Sequence, residues 1–243
     1  TVWQTDEHPS EQMTVADELE HVLFFITDVL YPAIPPFYED IENAAVRVYG
    51  EKGQHLHIPD LINFASWVGG DMDGNPNVNG KTIRATMARQ RSLILDRYYK
   101  ESGELSVKLS QSHNRITVDE LITKKINEYS HIFPNAYHDV PSRHRDMPYR
   151  IFLRLIQQRL QATYDDDVYP YEGANQFETD ICLIENSLVA NKGAHAGLFA
   201  VRRLLRRIRT FGFHLVKLDI RQNALVHRKV VGECLGEVDW LDW

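Results

Sequence analysis

The chain has 243 residues, of which 43% are hydrophobic, so it can enclose a sizeable core and is too apolar to be disordered throughout. Its formal net charge of -7 argues against non-specific nucleic-acid binding over the whole surface, although a local anion site is compatible with it. No apolar run reaches the ~18 residues of a membrane span, and Cys182 and Cys234 show no paired spacing, which is typical of a reducing compartment.

The first part of the sequence, residues 1–60, is predicted to be a helical lead-in. The segment Thr14-Val15-Ala16-Asp17 resembles a capping box, and apolar residues recur at helical spacing from Leu19 to Leu30. We expect this helix to end near Tyr31, because prolines follow at positions 32, 35 and 36. A second helix is predicted from Phe37 to Tyr49.

A predicted strand at residues 61–69 leads into a polar loop that ends near residue 80. The stretch reads Phe64-Ala65-Ser66-Trp67-Val68-Gly69-Gly70-Asp71-Met72-Asp73-Gly74-Asn75-Pro76-Asn77. Glycines permit positive φ, and aspartate and asparagine side chains bond nearby backbone amides, so the pattern predicts a tight loop. A tryptophan and two glycines before two acids make this stretch the first candidate site. The alternative is a sharp strand-to-helix turn with only a structural role.

The middle of the sequence, residues 81–211, is predicted to be a series of helices. Asn79 is the predicted N-cap of a helix from Lys81 to Lys100, which we expect Gly103 to interrupt. Further helices are predicted at about 104–110, 120–129, 149–164, 176–190 and 196–210 from apolar spacing. The interval 131–148, which contains three prolines and three histidines, is interpreted as a loop.

The second predicted strand covers residues 213–221, within a final segment of residues 212–243, and a helix near 225–235 follows it. Arg221 follows apolar and β-branched residues, so we expect its stem to be buried and its guanidinium to require an anionic partner. That partner is predicted to be Asp219, Asp71, Asp73 or an anionic ligand. A structural salt bridge and an anion clamp therefore both remain open.

Together these elements predict a mainly α-helical protein that contains part of a β/α barrel. Both strands deliver polar residues at their carboxyl ends, which is where barrel enzymes hold their chemistry. The helical segment between them is far longer than an ordinary crossover, so such a barrel must carry a large helical insertion. We expect residues 1–243 to be a single fragment of a longer chain, because the sequence starts at Thr1 and ends in apolar residues.

Two parts of the sequence resemble metal-binding sites. A calcium loop starting at Asp71 would need glycine at its sixth position and glutamate at its twelfth, but Pro76 and Thr82 stand there. A divalent-metal barrel hydrolase could use His55, His57 and Asp71. The histidine pair, however, precedes the predicted strand instead of ending it. The calcium loop is rejected, and the hydrolase remains an alternative.

A strongly basic helix offers a further alternative, a helical module that binds nucleic acid or a protein partner. Its arginines are Arg202, Arg203, Arg206, Arg207 and Arg209, and apolar residues form a stripe between them. The competing interpretation is a helix that is solvated or paired with acidic neighbours such as Asp165–Asp167.

Four stretches of the chain resemble the phosphoenolpyruvate carboxylase family. Trp3-Gln4-Thr5-Asp6-Glu7 looks like the family's W-x-T-D-E segment, and Phe64 to Asn77 looks like its long F-x-S-W-x-G-G-D-R-D-G-N-P-N motif. Asn186-Ser187-Leu188-Val189-Ala190-Asn191 is a weaker match. Leu218-Asp219-Ile220-Arg221-Gln222, followed by His227, looks like the L-D-[IV]-R-Q-x-S-x-x-H element.

The resemblance implies a mostly helical enzyme built on an eight-stranded β/α barrel, in which the two predicted strands are successive. It implies the joining of bicarbonate to phosphoenolpyruvate to give oxaloacetate and phosphate, with Mg²⁺ or Mn²⁺, in a cytoplasmic homotetramer. No nucleic-acid or membrane partner is expected. The enolate and carboxyphosphate intermediates carry concentrated negative charge, which favours arginine and metal stabilisation in a dry cleft.

The resemblance also assigns roles to residues of this chain. Arg221 is expected to be catalytic and to hold the substrate's anionic groups, while Trp67 lines an apolar wall around the substrate's methylene. The remaining substrate-binding residues are expected to be Gly70, Asp71, Asp73, Asn75 and His227. No metal ligand is expected in this sequence.

The sequence departs from the family pattern in several places. The T-A-H-P-T histidine, the metal-binding acids and the G-R-G-G loop are absent, so we expect the chain to be inactive by itself. Met72 replaces the usual arginine, and Asn223-Ala224-Leu225-Val226 replaces the common run after the second motif. His8-Pro9-Ser10-Glu11 stand where many members carry effector-site arginines, so regulation by phosphorylated sugars is not expected.

Overall fold

The computed structural model describes residues 13–236, in which the chain forms ten α-helices and two short strands. The helices are α1 (Val15–Phe24), α2 (Tyr31–Tyr49), α3 (Glu51–Gln54), α4 (Gly80–Lys108), α5 (Glu120–Ile132), α6 (Pro134–His138), α7 (Pro148–Asp165), α8 (Ala174–Ala190), α9 (Phe199–Phe211) and α10 (Ala224–Leu235). The strands are β1 (Ala65–Ser66) and β2 (Lys217–Leu218), and short π-helical turns occupy Phe25–Leu30 and Ala194–Leu198. The predicted mainly helical fold is confirmed.

Two predicted helix starts are confirmed by their caps. The Thr14 side chain accepts a hydrogen bond from the Asp17 amide at 3.2 Å, and the Asp17 carboxylate accepts one from the Thr14 amide at 2.9 Å. Asn79 accepts a hydrogen bond from the Lys81 amide at 2.9 Å. These bonds satisfy amides that have no partner within a helix.

The predicted break at the prolines after Tyr31 is wrong, because the chain stays helical from α1 through the π-helical turn into α2. Pro35 has no amide to donate to the Tyr31 carbonyl four residues earlier. Arg207 of α9 replaces that donor, and its Nε lies 3.3 Å from the Tyr31 oxygen. A tertiary contact thus satisfies the carbonyl that proline leaves without a helical partner.

The predicted break at Gly103 is also wrong, because α4 continues to Lys108. A Cβ at Gly103 would lie 2.8 Å from Nε2 of Gln157 on α7. Gln157 donates a hydrogen bond to the Tyr99 carbonyl at 3.0 Å. The glycine therefore allows α7 to approach α4 closely, and this packing outweighs its low helix propensity.

The interval 131–148 is less irregular than predicted. It contains the end of α5, the short helix α6 and a 3₁₀ turn at Ser142–His144. Pro134 occupies the first turn of α6, where proline lacks only an amide that has no helical partner.

The core lies where α4, α7, α8 and α9 pack together. Tyr98, Phe177 and Phe211 are fully buried, and the Phe64 ring stacks on Phe211 with centroids 5.5 Å apart. Burial of such large aromatic side chains is a major source of stability. The Phe64 contact also fixes the segment that enters β1 against α9.

A buried polar cluster crosses this core. The Asp180 carboxylate accepts hydrogen bonds from the hydroxyls of Tyr129 and Tyr171, both at 2.7 Å. Arg159 lies over the Tyr171 ring, with its guanidinium carbon 4.1 Å from the centroid, and donates to the Tyr129 hydroxyl at 2.5 Å. Burial raises the pKa of Asp180, and the tyrosine hydrogen bonds oppose this rise.

The two strands pair in parallel, with Ala65 opposite Lys217 and Ser66 opposite Leu218. The predicted spans 61–69 and 213–221 are too long, because only two residue pairs form the ladder. Leu215, just before β2, adopts the left-handed region with φ of 62° and so cannot continue a strand. Beyond Ser66, the chain turns at once into the loop described below.

Several expectations lie outside residues 13–236. They are the Trp3–Glu7 match, the residues His8 to Glu11, and the last part of the predicted segment 212–243. Within the described part, no helix combines the length and apolarity needed to cross a membrane.

Candidate functional site

The loop after β1 contains two more residues than the chain opposite it. Ser66 pairs with Leu218, and the next pairing joins Asp71 to Arg221. The segment after β1 therefore advances five positions while the segment after β2 advances three. The two additional residues are accommodated by a turn from Trp67 to Gly70, which is closed by a hydrogen bond from the Gly70 amide to the Trp67 carbonyl at 2.8 Å. This turn places Trp67 at the carboxyl end of β1, on the same side as the end of β2.

The two glycines of the turn are needed for different reasons. Gly69 has φ of 83° at the third turn position, where L side chains are disfavoured, and a Cβ there would lie 2.1 Å from Oγ1 of Thr86. Gly70 allows close approach, since its Cβ would lie 2.5 Å from the Asp219 carbonyl oxygen. A side chain at either position would push the loop away from α4 or from β2.

Trp67 and Arg221 meet at this end of the strands. The guanidinium carbon of Arg221 lies 4.4 Å from the centroid of the Trp67 ring, well within the range of a cation–π contact. Ser66 and Val68 are buried on either side of Trp67, whereas its own side chain is 50% exposed. The two residues to which the family resemblance assigns substrate contacts therefore lie side by side.

The predicted burial of the Arg221 stem is wrong, because 47% of the side chain is exposed. Arg221 is exposed to solvent, and its guanidinium lies beside the Trp67 ring. Of the predicted anionic partners, Asp219 is the nearest, with one carboxylate oxygen 3.9 Å from the guanidinium. That separation is too long for a hydrogen bond, so a tight salt bridge does not occupy the guanidinium.

The backbone around Arg221 is held more firmly than its side chain. The Arg221 amide donates to the Gly70 carbonyl at 3.0 Å, and the Met72 amide donates to the Arg221 carbonyl at 2.8 Å. Met72 therefore contributes to this pairing through its backbone, which any residue except proline could do. Replacement of the family arginine by methionine leaves this link intact.

The polar residues of the loop fix its shape. The Asp71 carboxylate accepts a hydrogen bond from the Asp73 amide at 3.1 Å, and Asn75 accepts one from the Asn77 amide at 3.0 Å. Gly74, between them, has φ of 70°. These bonds support the structural role that was the alternative for Asp71 and Asn75. Contact of the loop with a substrate remains a prediction.

His227 lies on the first turns of α10 and is exposed to solvent. Its amide donates to the Asn223 carbonyl at 3.1 Å, which is an ordinary helical bond. Within the described chain its imidazole has no hydrogen bond to the Trp67 loop, so its substrate-binding role stays a prediction.

The metal-hydrolase alternative gains no support from the structure. His55 and His57 are exposed in the connection after α3, ahead of β1. In residues 13–236 no three histidine, cysteine or acidic residues come together as a metal site.

The basic helix α9 is paired with carboxylates, as one interpretation predicted. The five ion pairs have shortest distances of 2.6 to 3.0 Å: Arg202–Glu185, Arg203–Glu39, Arg206–Glu42, Arg207–Glu101 and Arg209–Glu178. The suggested partner Asp165–Asp167 is wrong, and Asp166 instead pairs with Arg91 at 3.1 Å. Because its arginines are committed to these acids, α9 is poorly suited to bind nucleic acid.

The sequence reasoning missed the contribution of Thr86 and assigned Asp219 only an ionic role. Thr86 is buried at 1% exposure on α4 and faces Gly69. A polar residue on the buried face of α4 was the feature that could have indicated this contact. The Asp219 amide also donates to the Ser66 carbonyl at 2.9 Å, a strand contact that alternation alone does not reveal.

Comparison with known proteins gives one consistent result. A family model described as phosphoenolpyruvate carboxylase matches residues 1–243. The chain is 48% identical over 238 residues to the phosphoenolpyruvate carboxylase of Xanthomonas euvesicatoria pv. vesicatoria (strain 85-10), covering 98% of this chain and 26% of that protein. It is 34% identical over 247 residues to the Caulobacter vibrioides (strain ATCC 19089 / CIP 103742 / CB 15) protein of the same name, covering 96% and 25% respectively. The chain thus spans about a quarter of the length of these relatives.

Proposed function

Because the chain belongs to the phosphoenolpyruvate carboxylase family, we propose that the longer protein containing it joins bicarbonate to phosphoenolpyruvate, forming oxaloacetate and phosphate. This chain supplies one wall of the substrate cleft. The observation that carries the proposal is the half-exposed Arg221 guanidinium, which stands over Trp67 with no carboxylate at hydrogen-bond distance within residues 13–236.

Arg221 is the anion-binding residue of this wall. A guanidinium offers five donors in a fixed planar arrangement that suits both phosphate and carboxylate oxygens. The same charge stabilises the enolate and carboxyphosphate, in which negative charge is concentrated. Trp67 supplies an apolar face beside it, which keeps water from the labile carboxyphosphate.

The loop residues Gly70, Asp71, Asp73 and Asn75 complete the wall. Their internal hydrogen bonds hold the loop in one shape, so substrate groups meet positioned amides and carboxylates. His227 is proposed to approach the substrate from α10, which starts at Ala224, three residues after Arg221.

The family also implies Mg²⁺ or Mn²⁺, but the residues described here do not fit such an ion. Both ions favour several oxygen ligands in octahedral geometry. No group of three suitable side chains occurs in residues 13–236. We place the metal ligands in the rest of the protein, and no step of the mechanism is derived through the ion here.

The fold of the whole protein is proposed to be a β/α barrel in which β1 and β2 are adjacent strands. Their parallel pairing and the presence of Trp67 and Arg221 at their carboxyl ends support this arrangement. α10 has many exposed apolar side chains, among them Leu225, Val230 and Leu235, as expected if further barrel elements cover it. A cytoplasmic homotetramer is proposed on the family resemblance alone.

The test is a carboxylation assay on the full-length protein, measuring bicarbonate-dependent formation of oxaloacetate from phosphoenolpyruvate. Arg221→Lys should lower kcat/KM at least about tenfold, because a lysine cannot reproduce two parallel charge-assisted bonds. Arg89→Lys, at an exposed ion pair with Glu20, is the matched control and should leave kcat/KM unchanged. Absence of carboxylation by the full-length protein would contradict the proposal.

The isolated 243-residue chain is proposed to be inactive, because it lacks the family's proton-carrying histidine, metal ligands and G-R-G-G loop. The same assay applied to this chain tests that statement. Turnover by the chain alone would show that the missing parts are dispensable.

A further inference from the structure

We propose that Trp67 is a positioning residue, whose ring holds the Arg221 guanidinium by its face and leaves its edge free to bind an anion. This inference rests on the proposed function for the identity of the anion, phosphoenolpyruvate. It goes further by giving Trp67 a role that acts through Arg221, in addition to any role as an apolar wall.

The contacts of Arg221 favour the ring as its main support. In the described chain the nearest carboxylate oxygen, on Asp219, is 3.9 Å away, which is outside hydrogen-bond distance. The ring centroid of Trp67 is 4.4 Å from the guanidinium carbon. Tryptophan provides the strongest cation–π contact among the aromatic side chains. The ring contact therefore lies within its normal range, whereas the carboxylate contact lies outside hydrogen-bond distance.

A comparison within the chain shows why this support matters for binding. Arg203 stacks on Phe199 at 4.3 Å, much as Arg221 stacks on Trp67. Arg203, however, also donates from Nε and Nη2 to the two Glu39 oxygens, both at 2.7 Å. The donors of Arg203 are already used, whereas those of Arg221 are available. An aromatic face thus orients a guanidinium without adding a competing negative charge.

The backbone that carries the ring is held at the strand end. The buried residues Ser66 and Val68 flank Trp67, and the Gly70 amide bonds its carbonyl at 2.8 Å. The backbone of Arg221 is joined to Gly70 and Met72 by the hydrogen bonds described above. Trp67 and Arg221 therefore extend from the same pair of connected segments, so the fold determines the positions from which their side chains extend.

The kinetic test uses the full-length protein with Trp67→Phe and Trp67→Leu. Phenylalanine retains an aromatic face, whereas leucine retains only apolar bulk. We expect Trp67→Leu to raise the KM for phosphoenolpyruvate about tenfold and Trp67→Phe to raise it less than about threefold. Phe199→Leu, which removes the comparable stack from Arg203, is the control and should leave KM unchanged.

A double-mutant cycle separates positioning from a simple wall. If Trp67 acts through Arg221, Trp67→Leu should weaken phosphoenolpyruvate binding less than about threefold in an Arg221→Gln background. The binding constant can be measured by calorimetry where turnover is too slow. An equal loss in both backgrounds, or equal effects of Phe and Leu at Trp67, would overturn the proposal.

Crystal structures of the full-length variants give a readout that does not depend on activity. We expect the Arg221 guanidinium to move in Trp67→Leu and to stay in place in Asp219→Asn. The opposite pattern would make Asp219 the support and refute the role of Trp67. If the wild-type protein does not carboxylate phosphoenolpyruvate, the proposed function fails, and these structures still decide whether Trp67 positions Arg221.

Discussion

Arg221 extends over the ring of Trp67 at 4.4 Å, although a long series of helices separates the two residues in the sequence. The relationship is produced by backbone pairing, since Asp71 and Arg221 form a parallel bridge just beyond β1 and β2. A turn of two extra residues brings Trp67 out of the ladder and toward the arginine. The two short strands thereby bring one guanidinium onto the face of one aromatic ring.

Gly70→Ala should destabilise the protein by about 1–3 kcal/mol, because the new methyl group would meet the Asp219 carbonyl at 2.5 Å. The backbone at Asp219 cannot yield without breaking its hydrogen bond to Ser66. Gly80→Ala, at the first position of α4, is the control, because its Cβ meets only the end of the Arg84 side chain at 3.6 Å. Urea unfolding measures both variants, and equal stability of the two would contradict the close approach.

Asn79→Ala should lower the unfolding free energy by about 1 kcal/mol, because the side chain caps α4 through the Lys81 amide. Asn79→Gly should lower it by only a few tenths of this amount, since glycine is tolerated at the cap. Thermal unfolding of the two variants provides the comparison. Similar losses in both would show that the cap bond contributes little.

Glu101→Gln should be far more destabilising than Glu20→Gln. Glu101 pairs with Arg207 at 3.0 Å where both side chains are below 20% exposed, and burial raises the pKa of Glu101 despite that arginine. Removing the anionic partner of a buried guanidinium lowers the unfolding free energy by about 3 kcal/mol, whereas an exposed ion pair contributes at most about 1 kcal/mol. Glu20 pairs with Arg89 in the exposed setting. Chemical denaturation of both variants checks the ranking, and comparable losses would refute it.

Tyr171→Phe should have an effect on stability that grows with pH. Burial raises the pKa of Asp180, so the stability linked to its protonated form is lost as pH rises through that pKa. The Tyr171 hydroxyl stabilises the ionised carboxylate at 2.7 Å, and its removal raises the pKa further. The loss should be small where Asp180 is protonated and reach about 1–3 kcal/mol where it is ionised.

Urea unfolding from about pH 4 to about pH 8 tests this dependence on Tyr171. Tyr137→Phe is the control, because Tyr137 is 40% exposed and lies apart from the Asp180 cluster. A loss that is constant across this range would show that Asp180 does not change its protonation there.

Local sequence patterns were sufficient to predict the helical class, the caps at Thr14 and Asn79, and the stretch from Phe64 to Asn77 as the candidate site. These features depend on local patterns, such as apolar spacing, capping side chains and glycine-rich turns, which act within a few residues. The same local rules gave wrong breaks at the prolines and at Gly103. There, Arg207 and Gln157 supplied contacts from distant helices that no local pattern contains.

The assembly of the site depends on tertiary packing, which local sequence patterns do not contain. The sequence placed Arg221 at a strand end but predicted a buried stem, whereas the structure leaves it half-exposed on the Trp67 ring. The structure also shows that the arginines of α9 form close ion pairs with glutamates, whereas Arg221 has no carboxylate at hydrogen-bond distance in the described residues. The exposure of Arg221 and the ion pairs of α9 both depend on which distant residues come into contact. Residue type alone does not specify those contacts, because they are set by the packing of the helices and strands.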